Sequence, residues 1–413
     1  MSQPDELMLE KYAELTVHVG LNLHPGQRLL VRAPVETAPF VRLVVASAYK
    51  AGARYVDVQW SDDLVSKARY QYAPRDSFEE YPVYLADGRQ EYARSGDASL
   101  AIYAEDPDLL KDADQELVAI AVKTNQNHNK PFMDMLVRNQ FNWSLVSIPI
   151  PSWAAKVFPD LPAEERLASL WKVIFKVCRV DLEDPVEAWR QHLSELSARC
   201  EALNRQRFTN LHYTGPGTDL TIGLPDGHRW LSGSSTSAGG ITYVANMPTE
   251  EVFTLPHKDR LDGFVSSTLP LSYAGTLIED FQLTFEEGRV VNIQAARGET
   301  ALAKLLETDE GARRLGEVAL VPHSSPVAQS GVLFYNTLFD ENASSHLALG
   351  KAYQDSLDGG ESMSDDDFAA AGGNDSLTHV DFMVGSDQLD IDGILADGAR
   401  LPVMRGGEWA FEA

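Results

Sequence analysis

Residues 5–151 alternate between two hydrophobic patterns, and this alternation restricts the fold more than any other feature of the sequence. Short apolar runs typical of strands occur at 28–34, 54–60, 99–105 and 143–151. Amphipathic segments typical of helices occupy 5–21 and 35–53. Because strands that alternate with helices form βαβ units, this part of the chain is predicted to be α/β structure built on a parallel sheet.

The pattern changes in the middle of the chain. Residues 162–207 are predicted to be helical, with Asp184 as the N-cap of a helix that has Pro185 in its first turn. Beyond Arg207, short strand-like runs are separated by Gly, Pro and Asp turns. We therefore predict two domains, an N-terminal α/β domain at 1–190 and a C-terminal α+β domain at 191–413 with mostly antiparallel strands.

Three local features of the second domain can be predicted. The EEG triplet at 286–288 lies between two strand-like runs and predicts a hairpin. A helix is predicted to begin near Ala343. Residues 356–376 are small, acidic and rich in glycine, and we expect them to form a surface loop or lid.

Composition excludes several classes of partner. The formal net charge of −26 argues against nucleic acids and anionic membrane surfaces as partners, because both require a basic face.

The first residues lack the charge and apolar core of a signal peptide, and no apolar run is long enough to cross a bilayer, so we expect a cytoplasmic location. Cys178 and Cys200 show no metal or redox spacing and are expected to be reduced.

The segment THVDFMVG at 378–385 brings a histidine and a carboxylate to one surface. His379 and Asp381 are two positions apart, so in a strand both side chains point to the same face. Such a pair is a structural hydrogen-bonded pair, a catalytic couple or two arms of a metal site. Spacing alone leaves these three alternatives open.

Three further segments contain candidate acidic or imidazole groups. In TEEVFT, Glu250 and Glu251 would point to opposite faces of an extended chain, so at most one joins a given site. In LGEVAL, Glu317 would share a strand face with Ala319, and by itself it is expected to face solvent. In the third segment, SSHLALGKAY, His346 and Tyr353 would lie on one face of the predicted helix, with Ser344 or Ser345 as its cap.

Several common motifs are absent from the sequence. No G-x-G-x-x-G follows a predicted strand, and no G-x-x-x-x-G-K-[ST] occurs, so a nucleotide site is not indicated. H-E-x-x-H and G-x-S-x-G are absent as well, which argues against a zinc-protease helix and a hydrolase nucleophile elbow.

Taken together, NMPTEEVFT, RRLGEVALV, SSHLALGKAY and THVDFMVG resemble, in that order, the motifs of the M29 metallopeptidases, the aminopeptidase T family. The resemblance extends in general layout over the whole chain. It implies two divalent metal ions per chain, with Glu251, Glu317, His346, His379 and Asp381 as their ligands. It also implies that Tyr353 is an active-site tyrosine.

The residue types agree with this chemistry. Two metal ions about 3.5–4 Å apart need a bridging carboxylate and terminal oxygen and nitrogen ligands. Ligation by nitrogen and oxygen without thiolate suits Zn²⁺, Co²⁺ or Mn²⁺. Three carboxylates against two dications leave a net positive charge, which lowers the pKa of a bridging water.

The resemblance therefore implies an aminopeptidase that releases N-terminal residues, with apolar residues such as leucine favoured, from short peptides. A hydroxide activated by both metals would attack the carbonyl carbon. Glu317 would bridge the metals, and Tyr353 would stabilise the oxyanion. The family also implies a homodimer. Two alternatives are an acidic α/β ligand-binding protein without catalysis and a metal-dependent hydrolase that acts on another amide.

Overall fold

The computed structural model describes residues 5–104, 106, 108–273 and 276–412. Glu105, the last residue of the third predicted strand, and the pair 274–275 within a predicted strand region lie outside this description. The chain divides into two compact units. Unit 1 comprises Met1–Gln191 and Ser234–Pro248, and unit 2 comprises His192–Gly233 and Thr249–Ala413.

Twelve α-helices occur among the described residues. They are α1 (Glu6–Leu15), α2 (Ala38–Lys50), α3 (Asp63–Tyr72), α4 (Val83–Arg94), α5 (Gln115–Val137), α6 (Pro151–Val157), α7 (Ala163–Val177), α8 (Pro185–Gln206), α9 (Glu299–Leu306), α10 (Pro326–Ser330), α11 (Thr337–Asp340) and α12 (Asp365–Ala370). The Asp184 carboxylate accepts the Glu187 N–H at 3.0 Å, so the predicted N-cap of α8 is confirmed. Within the described part of the chain, no helix combines the length and apolar character needed to cross a membrane.

The strands are numbered in chain order. They are β1 (Arg28–Pro34), β2 (Tyr55–Ser61), β3 (Ala98–Tyr103), β4 (Trp143–Ser147), β5 (Asn210–Gly215), β6 (Thr218–Gly223), β7 (Leu231–Ser232), β8 (Ser234–Thr236), β9 (Thr242–Val244), β10 (Asn246–Met247), β11 (Val252–Thr254), β12 (Leu261–Ser266), β13 (Leu271–Tyr273), β14 (Thr276–Glu286), β15 (Arg289–Arg297), β16 (Leu315–Leu320), β17 (His346–Gly350), β18 (His379–Met383), β19 (Asp390–Ile394), β20 (Arg400–Arg405) and β21 (Glu408–Trp409). The predicted hairpin is confirmed between β14 and β15, where Glu287 and Gly288 both have positive φ.

Unit 1 contains the predicted parallel sheet. Its strand order is β10-β4-β3-β1-β2, and every neighbouring pair is parallel. Within this sheet, β2 lies on one side of β1, whereas β3 and β4 lie on its other side. The order of the strands therefore reverses at β1, as in other open α/β sheets.

Unit 2 contains two antiparallel sheets that share one hydrophobic core. The smaller sheet has the order β18-β17-β16-β11-β7, and the larger one runs from β13 to β21 with β15 paired to β14. Leu320, Leu347 and Phe382 of the smaller sheet are buried with Leu220 and Ile391 of the larger one. One face of the smaller sheet therefore packs against the core, and its other face is available for polar side chains.

The prediction of a helix that begins near Ala343 is wrong. Glu341–Ala343 form a single 3₁₀ turn, and the following residues form β17 instead. All five residues of β17 are buried, because the strand pairs with β16 on one side and β18 on the other. These tertiary pairings override the helical propensity of Leu and Ala.

The acidic segment 356–376 is more ordered than the predicted loop. It includes a 3₁₀ turn at Gly360–Ser362 and helix α12, which Ser364 caps by accepting the Asp367 N–H at 3.1 Å. Phe368 on α12 is buried against Leu255. Movement of this segment as a lid stays a prediction.

Candidate metal centre

The polar face of the β18-β17-β16-β11-β7 sheet gathers the candidate side chains. Val318, Leu347 and Phe382 alternate toward the core. The residues beside them in each strand therefore point to the other face. These are Glu317 on β16, His346 on β17, and His379 and Asp381 on β18. Glu251 immediately precedes β11, which pairs with β16.

Small residues between the polar ones leave space at the centre of this face. Ala348 on β17 is the register partner of Glu317 on one side and of Asp381 on the other. Ala319 is likewise the partner of His346. Because side chains in register share a face, the two carboxylates reach over the methyl group of Ala348 from opposite sides.

Two glycines allow the strands to approach closely beside the candidate ligands. A Cβ at Gly316 would collide with the carbonyl oxygens of Gly350 and Lys351, and the register of β16 shifts at this position. Gly350 has a φ of 107°, and a Cβ there would collide with the Thr378 carbonyl. Glycine is therefore required at both positions, and the shift at Gly316 sets the direction of Glu317.

The side chains form two groups that share Glu317. In the first group, His346 Nε2 lies 3.2 Å from Glu251 Oε2 and 3.6 Å from Glu317 Oε1. In the second group, His379 Nε2 lies 3.3 Å from Asp381 Oδ1 and 3.7 Å from Glu317 Oε2. The potential ligand atoms within each group all lie within 4.8 Å of one another.

Both imidazole rings are oriented by backbone carbonyls. His346 Nδ1 lies 3.1 Å from the Ser344 carbonyl oxygen, and His379 Nδ1 lies 2.7 Å from that of Lys351. Since a carbonyl only accepts, each Nδ1 carries the proton, and each Nε2 faces the carboxylates. An unprotonated Nε2 would direct its lone pair at these oxygens, so a cation or a proton must lie between them. This orientation is typical of metal-binding histidines.

The residues present fit a divalent metal. Glu251 Oε2 and Asp381 Oδ1 are buried and make no hydrogen bond in the described structure, although each lies close to an imidazole nitrogen. Buried carboxylate oxygens need a donor or a cation. Three carboxylates and two imidazoles without a thiolate suit Zn²⁺, Co²⁺ or Mn²⁺.

Burial and neighbouring charges shift the pKa values of the side chains in this cluster. Burial raises the pKa of Glu317, and the neighbouring charges of Asp381 and Glu251 raise it further. Burial opposes protonation of His379, but the Asp381 and Glu317 carboxylates raise its pKa to about 10. Protons and metal ions compete for these atoms, so cation binding and proton release are coupled here.

Glu341 is a further acidic group that the sequence analysis missed. Burial raises its pKa well above the ordinary value, and the charges of Glu251, Asp381 and Glu317 add to this effect. Glu341 therefore lies in the electrostatic field of the cluster, from the 3₁₀ turn that precedes β17. The acidic residues just before the SSH motif are the signal in the sequence, but the pattern around them predicts only the start of a helix.

Tyr353 lies beside the cluster but not on a helix. Its ring packs against His379, with 5.0 Å between centroids, and against Phe253 at 6.3 Å. Burial raises the pKa of its hydroxyl well above 10, and the charges of Glu317 and Asp381 contribute. Tyr353 is 39% exposed, so its ring packs against His379 while part of the residue stays accessible to solvent.

Glu250 takes a different position from Glu251. It is 3% exposed, and its Oε2 lies 3.6 Å from His192 Nε2. Among the groups of potential ligands found in the described residues, only Glu251 of this pair is present. The expectation that two consecutive glutamates cannot readily join the same site agrees with this arrangement.

Comparison with known proteins identifies the family. The model of the family described as thermophilic metalloprotease (M29) matches residues 5–409. The chain is 48% identical over 407 residues to Aminopeptidase 2 of Geobacillus stearothermophilus, with 98% of each chain covered. It is 49% identical over 403 residues to Aminopeptidase AmpS of Bacillus subtilis (strain 168), again with 98% of each chain covered.

A solved structure agrees with the sequence relatives. Wild-type AmpT from Thermus thermophilus superposes with a TM-score of 0.92 at 44% identity, covering 98% of this chain and 99% of that chain. The match therefore covers both the α/β part and the antiparallel sheets. The chain belongs to the M29 family of thermophilic metalloproteases and is a metallo-aminopeptidase.

Proposed function

We propose that this enzyme uses two divalent metal ions to release N-terminal amino acids, apolar ones such as leucine preferentially, from short peptides. The observation that carries the proposal is the position of Glu317. Its two carboxylate oxygens lie near different histidines, at 3.6 and 3.7 Å, and each histidine has a further carboxylate of its own. Such a shared carboxylate is what a pair of metals requires.

Under this proposal each metal has its own set of ligands. Glu251 and His346 would hold one ion, Asp381 and His379 would hold the other, and Glu317 would contact both. Glu341, from the turn before β17, is a candidate for a further ligand. Bound there, the ions would supply Lewis acidity toward the scissile carbonyl and lower the pKa of a nucleophilic water.

The remaining roles belong to side chains of the protein. Tyr353 would donate a hydrogen bond to the oxyanion that develops on the scissile carbonyl. Its ring is fixed between His379 and Phe253, so the hydroxyl needs little reorganisation during the reaction. Glu317 would accept a proton from the attacking water and pass it to the leaving amine.

A substrate panel with controlled metal content tests this function. The enzyme would be treated with a chelator and reconstituted with Zn²⁺, Co²⁺ or Mn²⁺ one at a time. Leucyl-p-nitroanilide and its N-acetylated form would then be compared as substrates, with metal content measured in parallel. We expect two metal equivalents per chain, activity that requires metal, and hydrolysis of the free amine only.

Two outcomes would contradict the proposal. Faster hydrolysis of the N-acetylated substrate would indicate a different amide hydrolase, because recognition of a free amine defines an aminopeptidase. Full activity at one metal equivalent would exclude the two-metal mechanism.

We also propose that the enzyme is a homodimer and that it is located in the cytoplasm. Sedimentation would test the homodimer, and cell fractionation would test the location.

A further inference from the structure

Among the residues that the structure describes, two arginines of unit 1 have no negative partner. Arg32 lies on β1 and Arg89 lies on α4. Neither forms an ion pair with a carboxylate within the described part of the chain. The Nε atom of Arg32 is buried and makes no hydrogen bond there. An uncompensated guanidinium at such a position is unfavourable unless something else neutralises it.

The surroundings of Arg32 make this charge costly. Its guanidinium lies 5.3 Å from the centre of the Phe132 ring, which is only 1% exposed. Burial and repulsion by Arg89 lower the pKa of Arg32 to about 10. The interaction with the aromatic face offsets part of this penalty, but it supplies no counter-charge.

Neutral polar groups complete the cluster. Arg89 donates from Nε to Gln59 Oε1 at 3.1 Å and from Nη1 to Asn129 Oδ1 at 2.7 Å. Asn129 Nδ2 in turn donates to the Tyr81 hydroxyl at 2.9 Å. Gln59 on β2 is the register partner of Arg32, so both side chains project from the same face of the sheet. These groups fix the arginines in place without neutralising them.

The position of Arg32 within the parallel sheet also favours ligand binding. Arg32 lies in the carboxyl-terminal half of β1, the strand at which the order of the parallel sheet reverses. In open α/β sheets, ligands bind at such reversal points, beyond the carboxyl ends of the strands. Arg32 and Arg89 are both half-buried residues, so neither is completely enclosed by the protein.

We propose that Arg32 and Arg89 form a binding site for a small oxyanion, either inorganic phosphate or a carboxylate. Planar guanidinium groups bind such anions through paired hydrogen bonds. The chain has a net charge of −26, and yet the structure describes no carboxylate paired with these two cations, so an anion would complete the local charge balance. The site uses none of the residues proposed to bind metal and does not depend on the proposed function.

Thermal unfolding of the metal-loaded enzyme tests the proposal. Sodium chloride would be replaced by sodium phosphate or sodium acetate at constant ionic strength. We expect a saturable rise in Tm for at least one of the two anions, with a dissociation constant on the order of 1 mM. The anion with the tighter constant identifies the source class, and an equal rise with both would indicate a general oxyanion site.

Two variants distinguish anion binding at this site from other effects of anions on Tm. Arg32→Met keeps an unbranched stem over Phe132 but removes the charge, and we expect binding at least about tenfold weaker, by the loss of paired charge-assisted bonds. Gln59→Glu supplies an internal carboxylate. It should raise Tm in chloride and remove the response to added anion. It also keeps the test decisive if Arg32→Met does not fold.

Arg69→Met is the matched control. Arg69 also lies over an aromatic ring, 4.8 Å from the centre of Phe78, and donates to the Ser77 carbonyl, but it is not part of the cluster. It should keep the full response to anions. Equal responses in the wild type, Arg32→Met and Gln59→Glu would overturn the proposal, because anion binding at the metals or nonspecific salt effects would give that result.

Discussion

The backbone N–H of Glu250 donates a 2.7 Å hydrogen bond to Oδ1 of Asn342, which is completely buried. The same side chain donates from Nδ2 to the Leu338 carbonyl at 3.0 Å. Asn342 therefore joins the segment that carries Glu251 to the turn that carries Glu341. This amide therefore links two parts of the cluster that are distant in sequence, in addition to the pairing of their strands through β16.

Replacement of Asn342 by alanine should loosen this connection. It leaves a buried N–H without an acceptor, which costs about 1–3 kcal/mol of stability. We also expect metal affinity about 10–100-fold weaker, measured by competition with a chelating dye. Asn204→Ala is the control, because Asn204 bonds both backbone polar groups of Trp230 and, within the described part of the chain, forms no hydrogen bond with a candidate ligand. Equal metal affinity in both variants would contradict a positioning role for Asn342.

Exchanging each of the two consecutive glutamates for glutamine distinguishes their roles. Glu251→Gln should lower metal content and reduce kcat by about 10²-fold or more, since the ligand assists in stabilising the transition state. Glu250→Gln should keep its metal, because its carboxylate lies near His192 instead. Metal analysis and steady-state kinetics would measure both. A reversal of the two phenotypes would move the ligand assignment to Glu250.

Glu317→Gln is expected to have the largest effect of the single substitutions. Glutamine keeps the shape of the side chain but removes the charge and one of the two acceptor oxygens. The stoichiometry should fall below two metals per chain, and kcat should fall by about 10³-fold or more even at saturating metal. Near-normal turnover at full metal occupancy would remove Glu317 from the mechanism.

Tyr353→Phe tests oxyanion stabilisation without disturbing the ligands. The phenyl ring can keep its packing with His379 and Phe253. We expect kcat to fall by about 10²–10³-fold, as for the loss of one oxyanion donor. KM and metal content should stay close to the wild-type values. A change in KM alone would instead indicate a role in substrate binding.

Metal removal should destabilise the folded enzyme. The carboxylates of Glu251, Glu317 and Asp381 are held together on one sheet face and repel one another without a cation. Free metal at about 100 times its dissociation constant should contribute about 2.7 kcal/mol per site to the free energy of unfolding. Thermal unfolding with and without a chelator measures this difference. In Glu317→Gln the effect of the chelator should be smaller.

The parallel sheet of unit 1 could be predicted because its information is local. Apolar runs such as 28–34, separated by an amphipathic helix, permit few other folds. The same-face arrangement of His379 and Asp381 was also predictable, since the period of a strand is two. The hairpin around Glu287 and Gly288 followed from its turn residues.

Other features had no local signal. Ser234–Pro248 belong to unit 1 although they follow α8 in the sequence, because β10 pairs with β4. The segment from His346 to Gly350 has residues that favour a helix, and it became a strand only through pairing on both sides. Glu317, expected to face solvent, is 5% exposed because the space above Ala348 is enclosed by neighbouring strands.

By itself the sequence determined which elements alternate in the first unit and which side chains share a strand face, since both properties depend on residues a few positions apart. Only the tertiary structure decided that Glu251, Glu317, His346, His379 and Asp381 meet. Their meeting depends on the register between strands far apart in sequence and on the shift at Gly316. The energy that fixes this register comes from burying the opposite face of the sheet, which no local pattern contains.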